Sequence, residues 1–328
     1  MKSAPLRLFC LAASAELGTG ISAALGEPLA AHEEREFEDG EHKARPLVSV
    51  RGETVFVVQG LHGDHEGSGD DRLVRLLFFC GALRDHGAAR IVALVPYLAY
   101  GRKERQTKPF DPVSTRYLAQ LIEAIGIDAL VTLETHSVTA LQNAFRIPTV
   151  HIDAAVLFTA RAQALASAGR LVVVSPDPGG IKRAQLFAEL LQRRTGEPVG
   201  LAFIEKRRSG GRVSGSLLAG DVAGATALLI DDLISTGGTL RRAAATCLDG
   251  GAREVVAFAA HGLFAPGAEQ MLLDPALASI VVADTVPAPR LSEAARARVS
   301  YEPAAPLFAR AVQCLLTGAA TAELTALG

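Results

Sequence analysis

Two adjacent carboxylates, Asp231 and Asp232, end an apolar run and directly precede a short loop of hydroxyl side chains and glycines. The loop residues are Ser235, Thr236, Gly237, Gly238 and Thr239. Paired carboxylates can accept hydrogen bonds from two neighbouring sugar hydroxyls, and hydroxyls with glycine N–H groups at the start of a helix can bind a phosphate. The pattern therefore predicts a site for a ribose ring that carries a 5-phosphate. The alternative is a structural turn whose Ser or Thr caps the next helix.

A second loop, Ser175–Gly180, reads Ser-Pro-Asp-Pro-Gly-Gly and also follows an apolar run. Asp177 stands where a parallel strand should end, and open α/β sheets bind ligands at that edge. Gly179 and Gly180 could turn N–H groups toward an anion, and Asp177 could hold a Mg²⁺ bound to that anion. An ordinary Pro-Gly turn explains the segment equally well.

Basic residues form two further candidate segments. Lys206 and Arg208 belong to a charged run before Ser209–Gly220, a glycine-rich stretch that we expect to be an irregular loop. Such a run is usually a solvated face, but beside a mobile loop it could form a lid that stabilises charge on a transferring phosphoryl group. Arg102 and Lys103 lie in a second basic loop.

Two weaker signals are His136 and the acidic turn 36–41. His136 follows a predicted strand and could be a metal ligand, although a histidine with an ordinary structural hydrogen bond is the commoner case. The turn places Phe37 and Gly40 among carboxylates, and taken alone it is a surface turn. Either signal indicates function only in combination with the loops above.

Continuous apolar runs alternate with amphipathic segments along the chain. The predicted strands are 54–59, 90–96, 129–133, 171–175, 227–231, 254–259 and 279–283, after a first strand near 8–13. The predicted helices are 71–86, 114–125, 181–195 and 238–250. Strands without polar alternation are typical of parallel sheets buried on both faces. The sequence therefore predicts an α/β fold in two similar halves, with a boundary near 149–155.

Length and composition exclude several classes of function. The 328 residues suggest about two domains, and the formal net charge of −2 gives no electrostatic reason to bind nucleic acid or an anionic membrane. The four cysteines lack CxxC spacing, so they indicate neither zinc nor disulfides and fit a reducing cytoplasm. The sequence has no apolar segment of transmembrane length, no P-loop motif and no strand-linked Gly-x-Gly-x-x-Gly. Any nucleotide would be held another way.

Taken together, these motifs resemble those of ribose-phosphate pyrophosphokinases, also called phosphoribosyl pyrophosphate synthetases, and the resemblance extends over about residues 6–316. The motifs, in family order, are Phe37–Glu41, Tyr100–Arg105, His136, Ser175–Gly180, Lys206–Arg208 and Asp231–Thr239. The resemblance implies two type I phosphoribosyltransferase-like domains, each a mostly parallel sheet flanked by helices. These would be residues 1–152 and 153–303, with a C-terminal helix at about 304–328 that packs back on the first domain.

The resemblance also implies a reaction, in which the diphosphoryl group of MgATP is transferred to O1 of D-ribose 5-phosphate. The products would be AMP and 5-phospho-α-D-ribose 1-diphosphate, a precursor for nucleotide biosynthesis. The residues that match the family's site are, for catalysis, Lys206 and Arg208; for ATP, Phe37, Asp39, Gly40, Glu41, Arg102 and Lys103; for Mg²⁺, His136 and Asp177; and for ribose 5-phosphate, Arg208, Asp231, Asp232, Ser235, Thr236, Gly237, Gly238 and Thr239. Since the residues near Phe37 resemble those that reach a neighbouring subunit's ATP site, a cytoplasmic homo-oligomer (dimer, tetramer or hexamer) is expected.

The chain departs from the family pattern at several positions. Lys103 replaces the usual glutamine, and Glu104 and Glu134 replace aspartates. Ser235 also replaces an aspartate, as in archaeal members, so the chain resembles a divergent member of the family. Two alternatives stay open: a catalytically silent relative that regulates an active synthetase, and a phosphoribosyltransferase, although two domains argue against the latter.

Overall fold

The computed structural model describes residues 6–167, 169–209, 212–287 and 291–326, with backbone alone for 206–209 and 212–216. These residues form two compact units. The first comprises the described residues up to Ile152 together with Thr285–Pro287 and Ala304–Leu324, and the second comprises the other described residues. Each unit is built around its own sheet, so the two are described separately.

The first unit contains a parallel sheet, a β-hairpin and flanking helices. In chain order its elements are β1 (Leu6–Cys10), α1 (Ala15–Leu25), β2 (His32–Glu36), β3 (His42–Pro46), β4 (Thr54–Val58), α2 (Gly69–Asp85), β5 (Arg90–Leu94), α3 (Ser114–Ala124), β6 (Ala129–Leu133), α4 (Val138–Ala144) and β7 (Thr149–Ile152). Among the described residues, five strands form the sheet in the order β1-β4-β5-β6-β7, all parallel.

The burial of this sheet follows from its sequence. Every residue of β4 and β6 is buried, and most residues of β4 are β-branched, which suits a pleated strand covered on both faces. The antiparallel pair of β2 and β3 forms a separate two-stranded hairpin. The helix α2 begins with a capping box between Ser68 and Asp71, and it packs against β3.

The second unit follows the same plan with a larger sheet. Its elements are α5 (Ala154–Ala166), β8 (Leu171–Ser175), α6 (Ile181–Thr195), β9 (Gly200–Ser209), β10 (Arg212–Ala219), β11 (Thr226–Ile234), α7 (Gly238–Asp249), β12 (Glu254–Gly262), α8 (Glu269–Leu272), β13 (Ser279–Ala283), α9 (Glu293–Arg296) and β14 (Val299–Glu302). Within the described ranges the strand order is β10-β9-β8-β11-β12-β13-β14, with β10 antiparallel and the others parallel. A last helix, α10 (Ala305–Thr317), belongs to the first unit and packs against α1.

The predicted α/β class and most of the predicted strands and helices are confirmed, although the first strand is Leu6–Cys10 and not 8–13, because Ala12–Ser14 form a 3-10 turn. Two further details of the prediction were wrong. The described part of the stretch predicted as an irregular loop is regular, because Arg212–Ala219 form β10, which pairs antiparallel with β9 from Phe203↔Ala219 to Ser209↔Arg212. In addition, β11 does not end at Asp231 but continues to Ile234. Both errors have one cause, since glycines and carboxylates are poor strand formers whose placement is decided by pairing with a neighbouring strand. No described helix has the length and hydropathy to cross a bilayer.

Candidate active site

The order of strands in the second unit reverses at β8. The chain passes from β8 to β9 on one side, with Ser175 paired to Phe203, whereas β11 lies on the other side, with Leu229 paired to Val174. Open α/β sheets bind ligands outside the carboxyl ends of their strands where the order reverses. Asp177 follows β8 by two residues, so both predicted loops of this unit open at this point.

The paired carboxylates project from β11 beyond the end of its neighbour. The pairing of β11 with β8 stops at Leu229, but its pairing with β12 continues to Ile234. The Asp231 carboxylate accepts the N–H of Asp232 at 2.9 Å, and the Asp232 carboxylate accepts the N–H of Leu233 at 3.0 Å. Asp232 is 7% exposed. Two acceptors are therefore held close to the backbone, in a largely desolvated position.

The pKa of Asp231 depends on the groups that surround it. Burial and the neighbouring Asp232 raise the pKa of Asp231 to about 8, and the Arg183 guanidinium partly opposes that rise. Arg183 lies on α6, and its Nη1 is 3.8 Å from Asp231 Oδ1. Sequence reasoning missed Arg183, since it is 48 residues from its partner and lies in an amphipathic helix like any other basic residue. Donors that stabilise the ionised carboxylate, such as sugar hydroxyls, would lower this pKa.

The hydroxyl and glycine loop turns directly into α7. Gly237 has φ +74°, in the left-handed region, and is the residue before the helix. The carbonyl oxygen of Ser235 accepts the N–H of Ala265 at 3.1 Å, which fixes the start of the loop. Because the first N–H groups of a helix have no partner within it, this end of α7 is a position where an anion can be bound.

Gly237 also lies against α8, so a substitution at this position tests the role of the loop in stability and binding. A Cβ atom at Gly237 would lie 2.5 Å from Met271 Cε and 2.8 Å from Met271 Cβ. Gly237→Ala should therefore lower the free energy of unfolding by about 2–4 kcal/mol, the sum of left-handed strain and overpacking. It should also weaken ribose 5-phosphate binding, by roughly tenfold for about 1.4 kcal/mol of lost interaction.

The matched control is Gly196→Ala. Gly196 has a similar φ of +72° but no atom within 4 Å of its Cβ position, so it isolates the backbone strain from the contact with Met271. Urea unfolding and calorimetric titration with ribose 5-phosphate measure both effects. Equal destabilisation of the two variants, with unchanged binding by Gly237→Ala, would contradict the assigned role of this turn.

The Asp177 turn is more closed than its sequence suggested. Asp177 Oδ1 accepts the N–H groups of Gly179 at 2.9 Å and Gly180 at 3.3 Å, so these donors point to Asp177 itself. The Ser175 hydroxyl donates to the Asp177 carbonyl oxygen at 2.6 Å. A Cβ atom at Gly180 would lie 2.7 Å from Ser175 Oγ, which explains the glycine. The turn thus holds the Asp177 carboxylate rigidly, while its role as a Mg²⁺ ligand stays a prediction.

In the first unit, the acidic turn is the tip of the β2–β3 hairpin. The Phe37 N–H donates to the Glu41 carbonyl oxygen at 2.8 Å, and the Glu41 N–H donates to the Asp39 carboxylate at 3.1 Å. Gly40 adopts φ +85°, which closes the tip. The Arg35 guanidinium lies 4.8 Å from the centre of the Phe37 ring. The hairpin tip therefore presents an aromatic ring together with three exposed carboxylates, those of Glu38, Asp39 and Glu41.

The basic loop of the first unit has an unexpected internal ion pair. The Lys103 ammonium donates to the Asp111 carboxylate and, at 3.1 Å, to the Thr107 hydroxyl oxygen. The hydrogen bond from Lys103, followed by those from Thr107, holds the pKa of Asp111 well below its usual range. Sequence reasoning missed Asp111, although its spacing of eight residues from Lys103 was visible. Arg102 is exposed, so its side chain is accessible to a ligand such as ATP.

Three predicted residues remain, one in the first unit and two in the second. His136 is exposed in the first unit, between β6 and α4, and the next residue, Ser137, caps α4 by accepting the Ala140 N–H at 3.2 Å. Lys206 and Arg208 belong to β9 in the second unit, but their side chains lie outside the described part of the chain. Their roles, like those of all the predicted site residues, stay predictions.

Comparison with known proteins adds a further line of evidence. The chain matches the N-terminal domain of ribose phosphate pyrophosphokinase over residues 6–126, a phosphoribosyl transferase domain over 146–262 and a phosphoribosyl synthetase-associated domain over 214–312. It is 35% identical to a ribose-phosphate pyrophosphokinase of Caldanaerobacter subterraneus subsp. tengcongensis over 320 residues, which cover 97% of each chain. It is 32% identical to ribose-phosphate pyrophosphokinase 1 of Streptococcus pneumoniae over 87% of each chain. A crystal structure of phosphoribosylpyrophosphate synthetase from Mycobacterium smegmatis is similar, with a TM-score of 0.84 and 31% identity over 95% of this chain and 99% of that one.

Proposed function

The chain belongs to the ribose-phosphate pyrophosphokinase family, and we propose that it transfers the diphosphoryl group of MgATP to O1 of D-ribose 5-phosphate. The products are AMP and 5-phospho-α-D-ribose 1-diphosphate. The observation that carries the proposal is the acceptor site of the second unit, where a carboxylate pair and a helix-start loop open at the reversal of strand order. This arrangement suits a sugar phosphate, as the two ends of such a ligand need different partners.

In this proposal, the second unit binds the acceptor. Asp231 and Asp232 accept hydrogen bonds from the two ring hydroxyls of ribose, and the loop 235–239 binds the 5-phosphate with hydroxyls and backbone N–H groups. Arg183 keeps a positive charge beside Asp231, so that the carboxylate is more readily ionised. The sugar is therefore oriented from both ends, which fixes the position of O1 for in-line attack on a phosphorus atom.

A magnesium ion would neutralise charge on the triphosphate when bound. Asp177 fits such an ion, since Mg²⁺ takes oxygen ligands and usually binds through one or two carboxylates together with substrate phosphates. The Asp177 carboxylate is held by two N–H groups through one oxygen, which orients the group for a cation. We assign Asp177 as one Mg²⁺ ligand and, by the family resemblance, His136 as another.

Transfer of the diphosphoryl group depends mainly on cations that neutralise its negative charge, and little on covalent catalysis by the protein. We assign Lys206 and Arg208 to this role, with Arg208 also near ribose 5-phosphate. Both lie on β9, which pairs parallel with β8, the strand that leads into the Asp177 turn. ATP would be held by Arg102 and Lys103 and, from a neighbouring subunit, by the hairpin-tip residues Phe37, Asp39, Gly40 and Glu41.

The identity of the nucleotide product tests the reaction directly. Purified protein with ribose 5-phosphate, ATP and Mg²⁺ should release AMP, and the amount of AMP should equal the amount of phosphoribosyl pyrophosphate formed. ADP as the product would indicate γ-phosphoryl transfer and contradict the proposal. Absence of turnover would instead favour the silent regulatory relative. The molecular mass from gel filtration of the same preparation tests whether the ATP site is shared between subunits. A fully active monomer would exclude a contribution from the hairpin tip of a neighbouring subunit.

A further inference from the structure

The basic loop of the first unit, residues 100–113, leads into α3 and begins at a strained residue. Tyr100 adopts φ +63°, in the left-handed region that residues other than glycine rarely occupy. Such a conformation persists only where the surrounding contacts enforce it. The Tyr100 hydroxyl donates to the Asp70 carboxylate at the start of α2, and the Tyr100 carbonyl oxygen accepts the Lys103 N–H at 3.3 Å. The segment that carries Arg102 and Lys103 therefore starts in one enforced conformation.

Thr115, the second residue of α3, holds the backbone of this loop. Its hydroxyl donates to the Tyr100 carbonyl oxygen at 2.8 Å and lies 3.2 Å from the Lys103 carbonyl oxygen. The Lys103 carbonyl oxygen also accepts the Thr115 N–H at 3.4 Å. The first N–H groups of a helix have no acceptor within it, so the loop supplies one here. Thr115 is 3% exposed, and this buried residue fixes the backbone on both sides of Arg102.

Asp111 closes the other end of the loop. Its Oδ2 atom accepts the Thr107 N–H at 3.1 Å, the Thr107 hydroxyl at 2.7 Å and the Lys108 N–H at 3.0 Å, in addition to the Lys103 ammonium. The chain turns at Phe110, which has φ +67°, immediately before this residue. Because three of the four donors come from the turn itself, the carboxylate is held in place independently of the lysine.

The Lys103 side chain is therefore fixed at both ends and still accessible to a ligand. An ammonium group has three N–H donors, and among the described residues those of Lys103 have two acceptors, Asp111 and Thr107. The side chain is 33% exposed, so the third donor can reach a ligand. A lysine normally loses rotamer freedom when it binds a ligand, and a side chain that is already held loses less.

We propose that Thr115 and Asp111 are positioning residues for ATP, since Thr115 fixes the backbone of Lys103, Asp111 fixes its ammonium group, and neither contacts the nucleotide. This role rests on the proposed function, in which Arg102 and Lys103 bind ATP. The loop belongs to the first unit, whereas the proposed ribose 5-phosphate site lies in the second. Loss of either positioning group should therefore weaken ATP binding and leave ribose 5-phosphate binding unchanged.

Calorimetric titration with MgATP in the absence of ribose 5-phosphate tests the role of Thr115 without turnover. Thr115→Val keeps the volume but removes the hydroxyl, and it should lower ATP affinity by about tenfold, whereas Thr115→Ser keeps the hydroxyl and should bind within about twofold of the wild type. The matched control is Thr159→Val, which removes another buried hydroxyl that donates to a helix carbonyl oxygen, at 2.9 Å in α5. Equal ATP affinity in Thr115→Val and Thr159→Val would overturn the role of Thr115.

The same titration tests Asp111, and the sign of the change is decisive. If Asp111 positions Lys103, Asp111→Ala should lower ATP affinity although it removes a negative charge from the neighbourhood of an anionic ligand. A rise in affinity would show that Asp111 only offsets the charge of Lys103, and would overturn the proposal. In a Lys103→Met background the loss caused by Asp111→Ala should be smaller. An equal loss in both backgrounds would show that Asp111 acts without Lys103, which also contradicts its assigned role.

Hydrogen exchange of the protein without nucleotide separates this proposal from the proposed function. The Thr107 and Lys108 N–H groups donate to Asp111, so both should exchange faster in Asp111→Ala than in the wild type. Unchanged exchange would show that Asp111 does not order the loop, and would overturn its positioning role whether or not ATP binds. A wild-type protein with this protection that binds no ATP would instead refute the proposed function, and with it the assignment to ATP.

Discussion

Asp231→Asn should bind ribose 5-phosphate more weakly than the wild-type protein and yet be more stable at neutral pH. The loss of binding follows because the carboxylate, whose ionised form hydrogen bonds from the sugar hydroxyls stabilise, is replaced by a neutral amide, and hydrogen bonds to charged groups contribute about 1.5–3 kcal/mol each. We therefore expect kcat/KM for ribose 5-phosphate to fall by about 10–100-fold. Steady-state kinetics at varied ribose 5-phosphate concentration measures this change.

The gain in stability follows from the pKa of Asp231, which burial and Asp232 raise from 3.8 to about 8. Below pH 3.8 the carboxyl group is protonated in both the folded and the unfolded state. As the pH rises from 3.8 toward 8, the unfolded state releases this proton while the folded state retains it, so stability is lost progressively across that window. An asparagine does not ionise, so the variant avoids the loss. At pH 7 its free energy of unfolding should exceed that of the wild-type protein by on the order of 2 kcal/mol.

The matched control for this experiment is Asp221→Asn, the same change at an exposed position of the second unit. The Ala223 N–H and Arg170 lower the pKa of Asp221, so its neutralisation should not stabilise the protein at any pH. Urea unfolding between pH 5 and 9 distinguishes the two variants. The pH profile of kcat/KM should also rise toward pH 8 in the wild-type protein and flatten in Asp231→Asn. A variant of unchanged stability with a wild-type pH profile would refute the buried, proton-retaining carboxyl.

Lys206→Ala should lower turnover by about 100–1,000-fold while ribose 5-phosphate binding stays nearly intact. A cation that acts on the transferring phosphoryl group stabilises charge in the transition state, and removal of one such donor typically costs that factor in kcat. The antiparallel pairing of β9 with β10 places the backbone of Lys206 opposite Ser216, in regular structure that a change of side chain should preserve.

The control for this second experiment is Lys182→Ala, which removes an exposed lysine of α6. It should leave turnover unchanged and so exclude a general effect of lost positive charge in the same unit. Rapid-quench measurement of AMP formation, together with calorimetric titration of ribose 5-phosphate, separates chemistry from binding. If Lys206→Ala loses binding and turnover in equal measure, Lys206 acts on the ground state instead.

Much of the fold was predictable from local patterns. Unbroken apolar runs such as 54–58 and 171–175 are buried strands of parallel sheets, and their alternation with amphipathic helices indicated the α/β class. Adjacent Asp231 and Asp232, followed by hydroxyls and glycines, also predicted a sugar-phosphate loop from sequence alone. These features depend on residues close together in the chain, whose spacing is visible in the sequence.

Other features depend on strand pairing and were not predictable in this way. The glycine-rich stretch after Ser209 became β10 because it finds a partner in β9, and β11 extended past Asp231 because β12 continues beside it. Strand formation in such residues is decided by a neighbour and not by local preference.

The sequence by itself therefore determined the two-part α/β fold and the residue types of the acceptor loop. Only the tertiary structure decided the charge state of Asp231, which depends first on its burial and on Asp232 and then on Arg183 of α6. It also decided the burial of the Gln59 amide, which has no hydrogen-bond partner among the described residues. The physical reason is that a pKa or an unsatisfied hydrogen bond reflects desolvation and contacts among residues far apart in the chain, and these exist only once the units have packed.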